Sequence, residues 1–418
     1  MTPEVKKRIE QIRHGIVPEG YQETTFGIAP MVWHRRRIDE VCTLSSGSTP
    51  RRDNAANFIG DILWVTSGEL KQRTITDTME KISEDAARKS NLMMYDPGTV
   101  AIAIYGLEAA GIRGTASIIG KRCTISQACM AFTDFMEINN EFLYYWYLKN
   151  GQIIGLRYAQ GTKQQNLSAD IVGAFPICFP ENSEQRRIVE ILNAQEQIIM
   201  LQEKLLAEKQ RQKKYLMQQL LTGKKRLPGF DGEWMYVRAN QIFRNVTDKK
   251  HNGTLEVLSA TQDRGIIPRS LVDIDIKYAV ESLTGYKKVA KGNFVISLRS
   301  FQGGIEYSEY SGIVSPAYTV LSSIYPIEDN YYKQFFKSTD YINRLNIAVY
   351  GIRDGKQISY NDFGRIRIPY PPLDEQKAIA AVLEAADKEI EILKRNIEQE
   401  KQKKKALMQL LLTGIVRV

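Results

Sequence analysis

Several patterns in this chain carry residue types that could do chemistry. Gly351-Ile352-Arg353-Asp354-Gly355-Lys356-Gln357 has the glycines and lysine of a phosphate-cradling loop. It is one residue short, and Gln357 stands where a hydroxyl would reach Mg²⁺. Glu375-Gln376-Lys377 has the Glu-x-Lys look of a nuclease site. The same Glu-Gln pair recurs at Glu184-Gln185, at the start of a helix, so helix capping accounts for the glutamate. Pro369-Tyr370-Pro371-Pro372 has the composition of the Pro-Pro-Tyr of amino-methyltransferases. Its order is wrong, and the amide or carboxylate neighbour is missing. His14, His34 and His251 are scattered and suggest neither a metal set nor a general base. These patterns are decoys, and the expectation is a chain with no catalytic residues, no metal and no cofactor of its own.

What remains is architecture, and its centre is a duplication. Residues 184–223 align without a gap on residues 375–414, and fifteen of the forty positions are identical. Lys213-Lys214 matches Lys404-Lys405, Leu216-Met217-Gln218 matches Leu407-Met408-Gln409, and both copies close on Leu-Leu-Thr-Gly. Each copy reads as one long helix of roughly 55–60 Å. In the second, Ile379, Leu383, Ala386, Ile390, Leu393, Ile397, Leu407 and Leu411 follow steps of four and three, broken by Glu400 and Lys404. The first keeps that phase with Ile188, Leu192, Ile199, Leu206, Leu216 and Leu220, but sets Gln195 and Gln202 in the seam. A step near 3.5 predicts a coiled coil, and each copy is the other's natural partner. Pro180 and Pro371-Pro372 precede the helices, and Gly223 and Gly414 suit C-terminal caps.

Length and composition fit this plan. The chain has 418 residues, more than one ordinary domain, and 43% of them are apolar, enough for a core in each half. Cys42, Cys123, Cys129 and Cys178 form no CxxC pair and read as reduced structural thiols of a cytoplasmic protein. The charged start at residues 3–8 is unlike a signal peptide, and no apolar run reaches membrane-spanning length. A net charge of +9 favours a polyanionic partner.

Residues 6–17 resemble residues 405–416, the end of the repeated helix. The order is therefore helix end, globular unit, helix, globular unit, helix, a circle with approximate two-fold symmetry. The segments are 1–23, completing the helical region; 24–180, the first globular unit; 181–226, the first helical spacer; 227–372, the second unit; and 373–418, the second spacer. In the first unit, residues 61–68 and 98–106 read as strands. Tyr144, Tyr145, Trp146 and Tyr147 read as a buried helix and not as a base-stacking platform. Residues 291–298, 314–318 and 351–359 of the second unit parallel residues around 98, 125–129 and 161–168 of the first. Between these landmarks the two units diverge.

Together the features resemble the specificity (S) subunit of type I restriction-modification systems. Gly47-Ser48-Thr49-Pro50-Arg51, then residues 61–70 around Trp64, are similar to that family's strongest local signature. Pro371-Pro372-Leu373-Asp374-Glu375-Gln376 entering the helix, Leu-Leu-Thr-Gly leaving it, and Gly27-Ile28-x-Pro before Trp33 match as well. The second unit lacks the Thr-Pro and Trp signature. The resemblance implies an α+β fold: two mixed α/β target-recognition domains separated by two long helices packed as an antiparallel coiled coil, in a pseudo-two-fold circular arrangement. It implies double-stranded DNA and two modification (methyltransferase) subunits as partners, with S-adenosylmethionine on those subunits and target adenines flipped into them. It leaves open a restriction/translocase subunit.

On that reading each unit docks in DNA grooves and reads one half of a bipartite target, and the helices set the gap. Lysines and arginines sit on phosphates, and a few polar side chains reach base edges. The loop candidates are Lys163, Gln164, Gln165 and Asn166 in the first unit, and Arg353, Lys356 and Gln357 in the second. Thr49, Arg51 and Arg52, then Arg299 and Gln302, come next. Lys204, Lys209, Lys213 and Lys214 read as a solvated or subunit-facing helix surface. Two alternatives are a self-contained DNA-modifying enzyme and a coiled-coil assembly protein that never touches DNA. Methyl transfer by the chain alone marks the first, and absence of salt-dependent duplex binding marks the second.

Overall fold

A computed structural model describes residues 2–161, 165–272, 280–348 and 358–418. The chain forms two compact units, Met1–Leu201 with Ile397–Val418, and Gln202–Asn396. Each unit therefore owns one globular body and half of each long helix.

The first unit is built on a five-stranded sheet in the order Thr43–Ser46, Cys129–Thr133, Val100–Ala103, Ala116–Ile119, Thr74–Ile75. All neighbours are antiparallel except the last pair, Thr74 opposite Ile118, which is parallel. Val100–Ala103 and Ala116–Ile119 are buried along their whole length, which is why the first reads as a continuous apolar run; the buried Ser117 of the second donates to Gln72 O. The helix Asn140–Tyr158 lies on this sheet. Phe142 through Tyr147 are all buried, so the aromatic run is core, as its density around the whole helix requires.

The second unit repeats the frame with four strands: Phe243–Val246, Thr319–Ser323, Phe294–Ile296, Glu306–Tyr307. Its covering helix is Asp329–Phe335, followed by Thr339–Ala348. Tyr331, Tyr332, Phe335 and Phe336 fill the core around Phe243 and Phe294. Each unit also carries an antiparallel strand pair beside its sheet. It is His34–Arg37 with Pro176–Phe179 in the first and Met235–Arg238 with Arg367–Tyr370 in the second.

The long helices run Asn182–Leu220 and Leu373–Leu411, 39 residues each, or roughly 58 Å. Within each unit their halves pair antiparallel. In the first unit, Gln195 Nε2 donates to Glu400 Oε2 at 2.5 Å and Lys404 sits 3.0 Å from Glu196. In the second, Lys213 lies 2.6 Å from Asp387 and Lys209 lies 2.7 Å from Glu389. Because 213 corresponds to 404 and 387 to 196, the Lys213–Asp387 and Lys404–Glu196 pairs are one contact made twice. Lys209 and Lys213 are thus bound between the helices, a correction to their reading as outward surface; Lys204 and Lys214 are exposed. Of the seam residues, Ile188, Leu192, Ile199, Leu220, Ile379, Leu383, Ile390, Ile397 and Leu411 are buried. Leu206, Leu216, Leu393 and Leu407 are half-buried. The helix ends join the globular cores: Ile188, Leu192 and Leu411 enter one, and Leu220, Ile379 and Leu383 the other.

A second repeated device fastens each helix start. Arg226 donates from Nε and a terminal nitrogen to Glu375 at 2.6 and 2.7 Å, and Trp234 Nε1 adds a third bond at 2.8 Å. In the first unit Arg417 grips Glu184 at 2.5 and 2.6 Å. Each arginine lies over a tryptophan, Trp234 or Trp33. These glutamates are therefore clamp residues, a correction to the capping reading. The neighbouring glutamines repeat too. Gln185 donates to Pro180 O and accepts from Asn139 N, and Gln376 donates to Pro371 O and accepts from Glu328 N. Each helix ends on a glycine with φ of +69° (Gly223) or +66° (Gly414), the left-handed cap where a Cβ would also collide with Trp234 or with Pro30 and Trp33.

Candidate nucleic-acid interface

The loop between strands Thr43–Ser46 and Ile62–Val65 carries Thr49, Arg51 and Arg52. Pro50 is buried and Trp64 Nε1 donates to Ser48 O, so the Thr-Pro and Trp landmarks of the sequence meet in one contact. Arg51 projects into solvent, with only Asp53 at 3.3 Å. Arg52 is also exposed but is held in place: it donates to both oxygens of Glu80 at 2.6 and 2.9 Å and lies over Phe58 and Trp64. Thr49 is half-buried.

Gln165 is held by its surroundings. Its backbone N–H donates to Glu108, its Oε1 accepts from Arg113 at 2.7 Å, and its carbonyl accepts from Leu107 N. Asn166 pairs with Gln160 through the backbone, and its Oδ1 is buried without a partner among the described residues. Lys163 and Gln164 lie outside the described residues, as do Arg353, Lys356 and Gln357. In the second unit Arg299 and Gln302 are exposed at the short helix Ser300–Gly303.

The structure also groups cations that the sequence reading passed over. Arg238 and Arg367 are cross-strand partners at an exposed edge, beside Tyr236 and Gln241, around a shallow hollow of about 400 Å³. Like charges facing each other across a strand pair are unfavourable, and the Arg367 guanidinium donates to Tyr236 O at 3.0 Å. The first unit presents Arg35, Arg36 and Arg37 on the corresponding strand; Arg37 is paired to Asp39 and Arg36 to Glu137. The run Arg35-Arg36-Arg37 was a visible signal, whereas the Arg238/Arg367 pairing depends on strand register.

Burial holds the Cys42, Cys123 and Cys129 thiols up at about 12, so they are packing groups and not nucleophiles. Among the described residues no group of His, Cys, Asp and Glu could hold a metal ion. No described helix is long and apolar enough to cross a membrane.

A duplicated α+β frame, with paired helices shared between its copies and different loops on each copy, is a tandem scaffold for two separate surfaces. The chain belongs to the type I restriction modification DNA specificity domain family, whose model matches residues 30–209 and again 232–401. It is similar to two specificity subunits of Methanocaldococcus jannaschii type I restriction enzymes. It is 23% identical to MjaIX over 177 residues, 41% of this chain and 40% of that one. It is 51% identical to MjaVIII over 53 residues, 13% and 12% of the two chains. The matched stretches thus span well under two thirds of these relatives. Among solved structures, one described as the structural basis of complex assembly and conformational transition of the type I R-M system aligns over 93% of this chain and 99% of that one. Its TM-score is 0.58 at 20% identity. The S subunit from M. genitalium aligns over 91% and 96%, with a TM-score of 0.53 at 15% identity. At these identities the likeness is one of fold.

Proposed function

We propose that this chain is the DNA-reading subunit of a type I restriction-modification complex, in which each globular body reads one half of an interrupted target. The observation that carries this is the doubled frame: the same strands, clamp and helix start occur twice, while the loops between them differ. On this reading the recognition bodies are residues 24–180 and 227–372, and the helices are spacers that set the gap. Arg51, Arg299, Gln302 and the Arg238/Arg367 pair are assigned to DNA, phosphates first and base edges second. Lys163, Gln164, Arg353, Lys356 and Gln357 stay assigned by residue type and loop position. Arg52 and Gln165 are assigned to holding their loops in shape.

Methyl transfer belongs to partner subunits, two per copy of this chain, which carry S-adenosylmethionine. A second apolar stripe supports their docking. On the first helix Ile191, Ala194, Ile198 and Leu201 are exposed at steps of three and four, on a face away from the buried seam. At the repeat-equivalent positions of the second helix Ala385, Glu389 and Ile392 are exposed, Glu389 is paired to Lys209, and Val382 packs against the core. The stripe is apolar on the first helix alone, so the expectation of two copies of one partner rests on the repeated helices themselves and not on a repeated stripe.

Mass measurement of the complex reconstituted with its methyltransferase should give two methyltransferase chains per copy. Duplex binding should weaken steeply with salt and prefer a bipartite site. A stable one-to-one complex methylating both strands at full rate contradicts the pairing. Salt-insensitive or absent duplex binding contradicts the DNA assignment.

A further inference from the structure

In the second unit a cleft of about 760 Å³ is lined by Asn330, Gln334, Glu384, Asp387, Lys213 and Arg264, among others. Its meaning comes from the first unit, where the equivalent residues enclose a guanidinium. There Arg73 donates to Glu141 at 2.5 Å and to Asn193 at 2.8 Å, with Glu196 3.8 Å from its Nε. Tyr145 closes the ring by donating to Asn193 and Glu196.

The correspondence is fixed by contacts made twice. The helix repeat takes Asn193 to Glu384, Glu196 to Asp387 and Lys404 to Lys213. The Gln185–Asn139 and Gln376–Glu328 bonds align the covering helices and take Glu141 to Asn330 and Tyr145 to Gln334. Gln334 indeed donates to Asp387 at 2.6 Å, as Tyr145 does to Glu196. The amide and the carboxylate have exchanged places, Glu141/Asn193 against Asn330/Glu384, so both cradles offer the same kinds of acceptor. What differs is the occupant. Strand register puts Arg264 where Arg73 stands: Thr74 is opposite Ile118, and the Ile266–Ser308 bridge sets Gly265 opposite Tyr307. Yet Arg264 lines the cleft without pairing to either carboxylate of the cradle, donating instead to Leu271 O at 3.2 Å and lying 3.8 Å from Asp263.

Charge follows the same logic. In the first unit Glu141 and Glu196 face two cations, Arg73 and Lys404. In the second, Glu384 and Asp387 face Lys213. Lys333 and Lys337 are occupied by Glu309 and by the buried Glu306, whose second oxygen has no partner among the described residues. Lys388 is exposed. Among the described residues Glu384 makes no hydrogen bond or ion pair. We infer that this cleft is a socket for an arginine side chain presented by a protein partner, filled from outside as Arg73 fills its twin from within. A guanidinium matches it better than an ammonium, because two carboxylates and two amides in one cleft suit a forked donor, as the twin cradle around Arg73 illustrates.

The test is calorimetric titration of the full chain with N-acetyl-arginine methylamide, and with the citrulline analogue that keeps the shape without the charge. The expected result is saturable binding of the arginine probe, about tenfold weaker in Glu384→Gln at an unchanged melting temperature, with no saturable citrulline binding. Arg264→Ala should bind the probe as wild type does. Binding that appears only in Arg264→Ala would make Arg264 the natural occupant and overturn the proposal. Equal binding in wild type and Glu384→Gln would place the probe elsewhere and overturn it too. So would the absence of saturable binding in every variant.

Discussion

Replacing Arg226 by Met tests whether the Arg–Glu–Trp clamp holds the second helix to its globular body. Methionine keeps most of the apolar stem and removes the fork. The Glu375 side chain is 0% exposed and accepts two bonds from Arg226 and one from Trp234. Removing Arg226 leaves a buried carboxylate with a single neutral donor, a change that costs about 3–5 kcal/mol. Its twin predicts less. Glu184 is 9% and Arg417 43% exposed, and Trp33 Nε1 is buried without an acceptor among the described residues. Solvent takes over part of that pair, so Arg417→Met should cost about 1–2 kcal/mol. The assay is urea unfolding of the full chain followed by fluorescence. Trp234 is the one tryptophan between residues 202 and 396, so it reports its own unit when the other tryptophans are replaced by Phe, and Arg417→Met is read from the first unit's tryptophans with Trp234 replaced instead. Adding Glu375→Gln to Arg226→Met should recover at least half the loss, since a neutral amide is far cheaper to bury. The reasoning fails if Arg226→Met costs under about 1 kcal/mol, or no more than Arg417→Met.

Other consequences follow from the same geometry. Burial lowers the Lys149 ammonium to about 8, its Nζ reaching only Asn150 Oδ1 and Phe26 O. The folded state then binds this proton less tightly than the unfolded one. The resulting penalty is full below pH 8 and disappears as pH rises toward 10.5, so Lys149→Met should gain about 2–3 kcal/mol over wild type at pH 7 and nothing above pH 10.5. The difference between their melting curves across that range checks the sign. Duplicating Leu-Leu-Thr-Gly at residues 220–223 adds about 6 Å of helix, and at 3.4 Å per base pair should lengthen the unspecified gap by one to two base pairs. Methylation mapping should show both half-sites unchanged; an unchanged gap with full activity would make the helices a fastening and not a ruler. Arg51→Ala should weaken duplex binding and flatten its salt dependence without moving the melting temperature, whereas Arg52→Ala should lower the melting temperature through the lost Glu80 and Trp64 contacts.

The helices were legible because their pattern is local: forty residues at one phase, repeated, admit little else. Gln195 and Glu400 looked like separate faults in the two seams. In three dimensions the glutamine of one helix meets the glutamate of the other, a pairing that only antiparallel register reveals. The aromatic helix was legible for a related reason, since apolar side chains on every face leave burial as the stable solution. The clamps were not. Arg226 and Glu375 are far apart in sequence, and a glutamate at a helix start has a sufficient local explanation in capping. The Arg73 cradle escaped likewise, because its members come from a loop, a covering helix and a long helix. Of the DNA candidates, residue type picked exposed Arg51, Arg299 and Gln302 and equally picked Arg52 and Gln165, which their neighbours hold. Composition cannot separate an arginine facing solvent from one lying over Trp64.

The most direct measurement of the central claim is the methylated motif of a strain in which residues 24–180 have been exchanged for the corresponding unit of a related chain. The account predicts that one half-site changes while the other half-site and the gap stay as they were. A motif altered in both halves would contradict it.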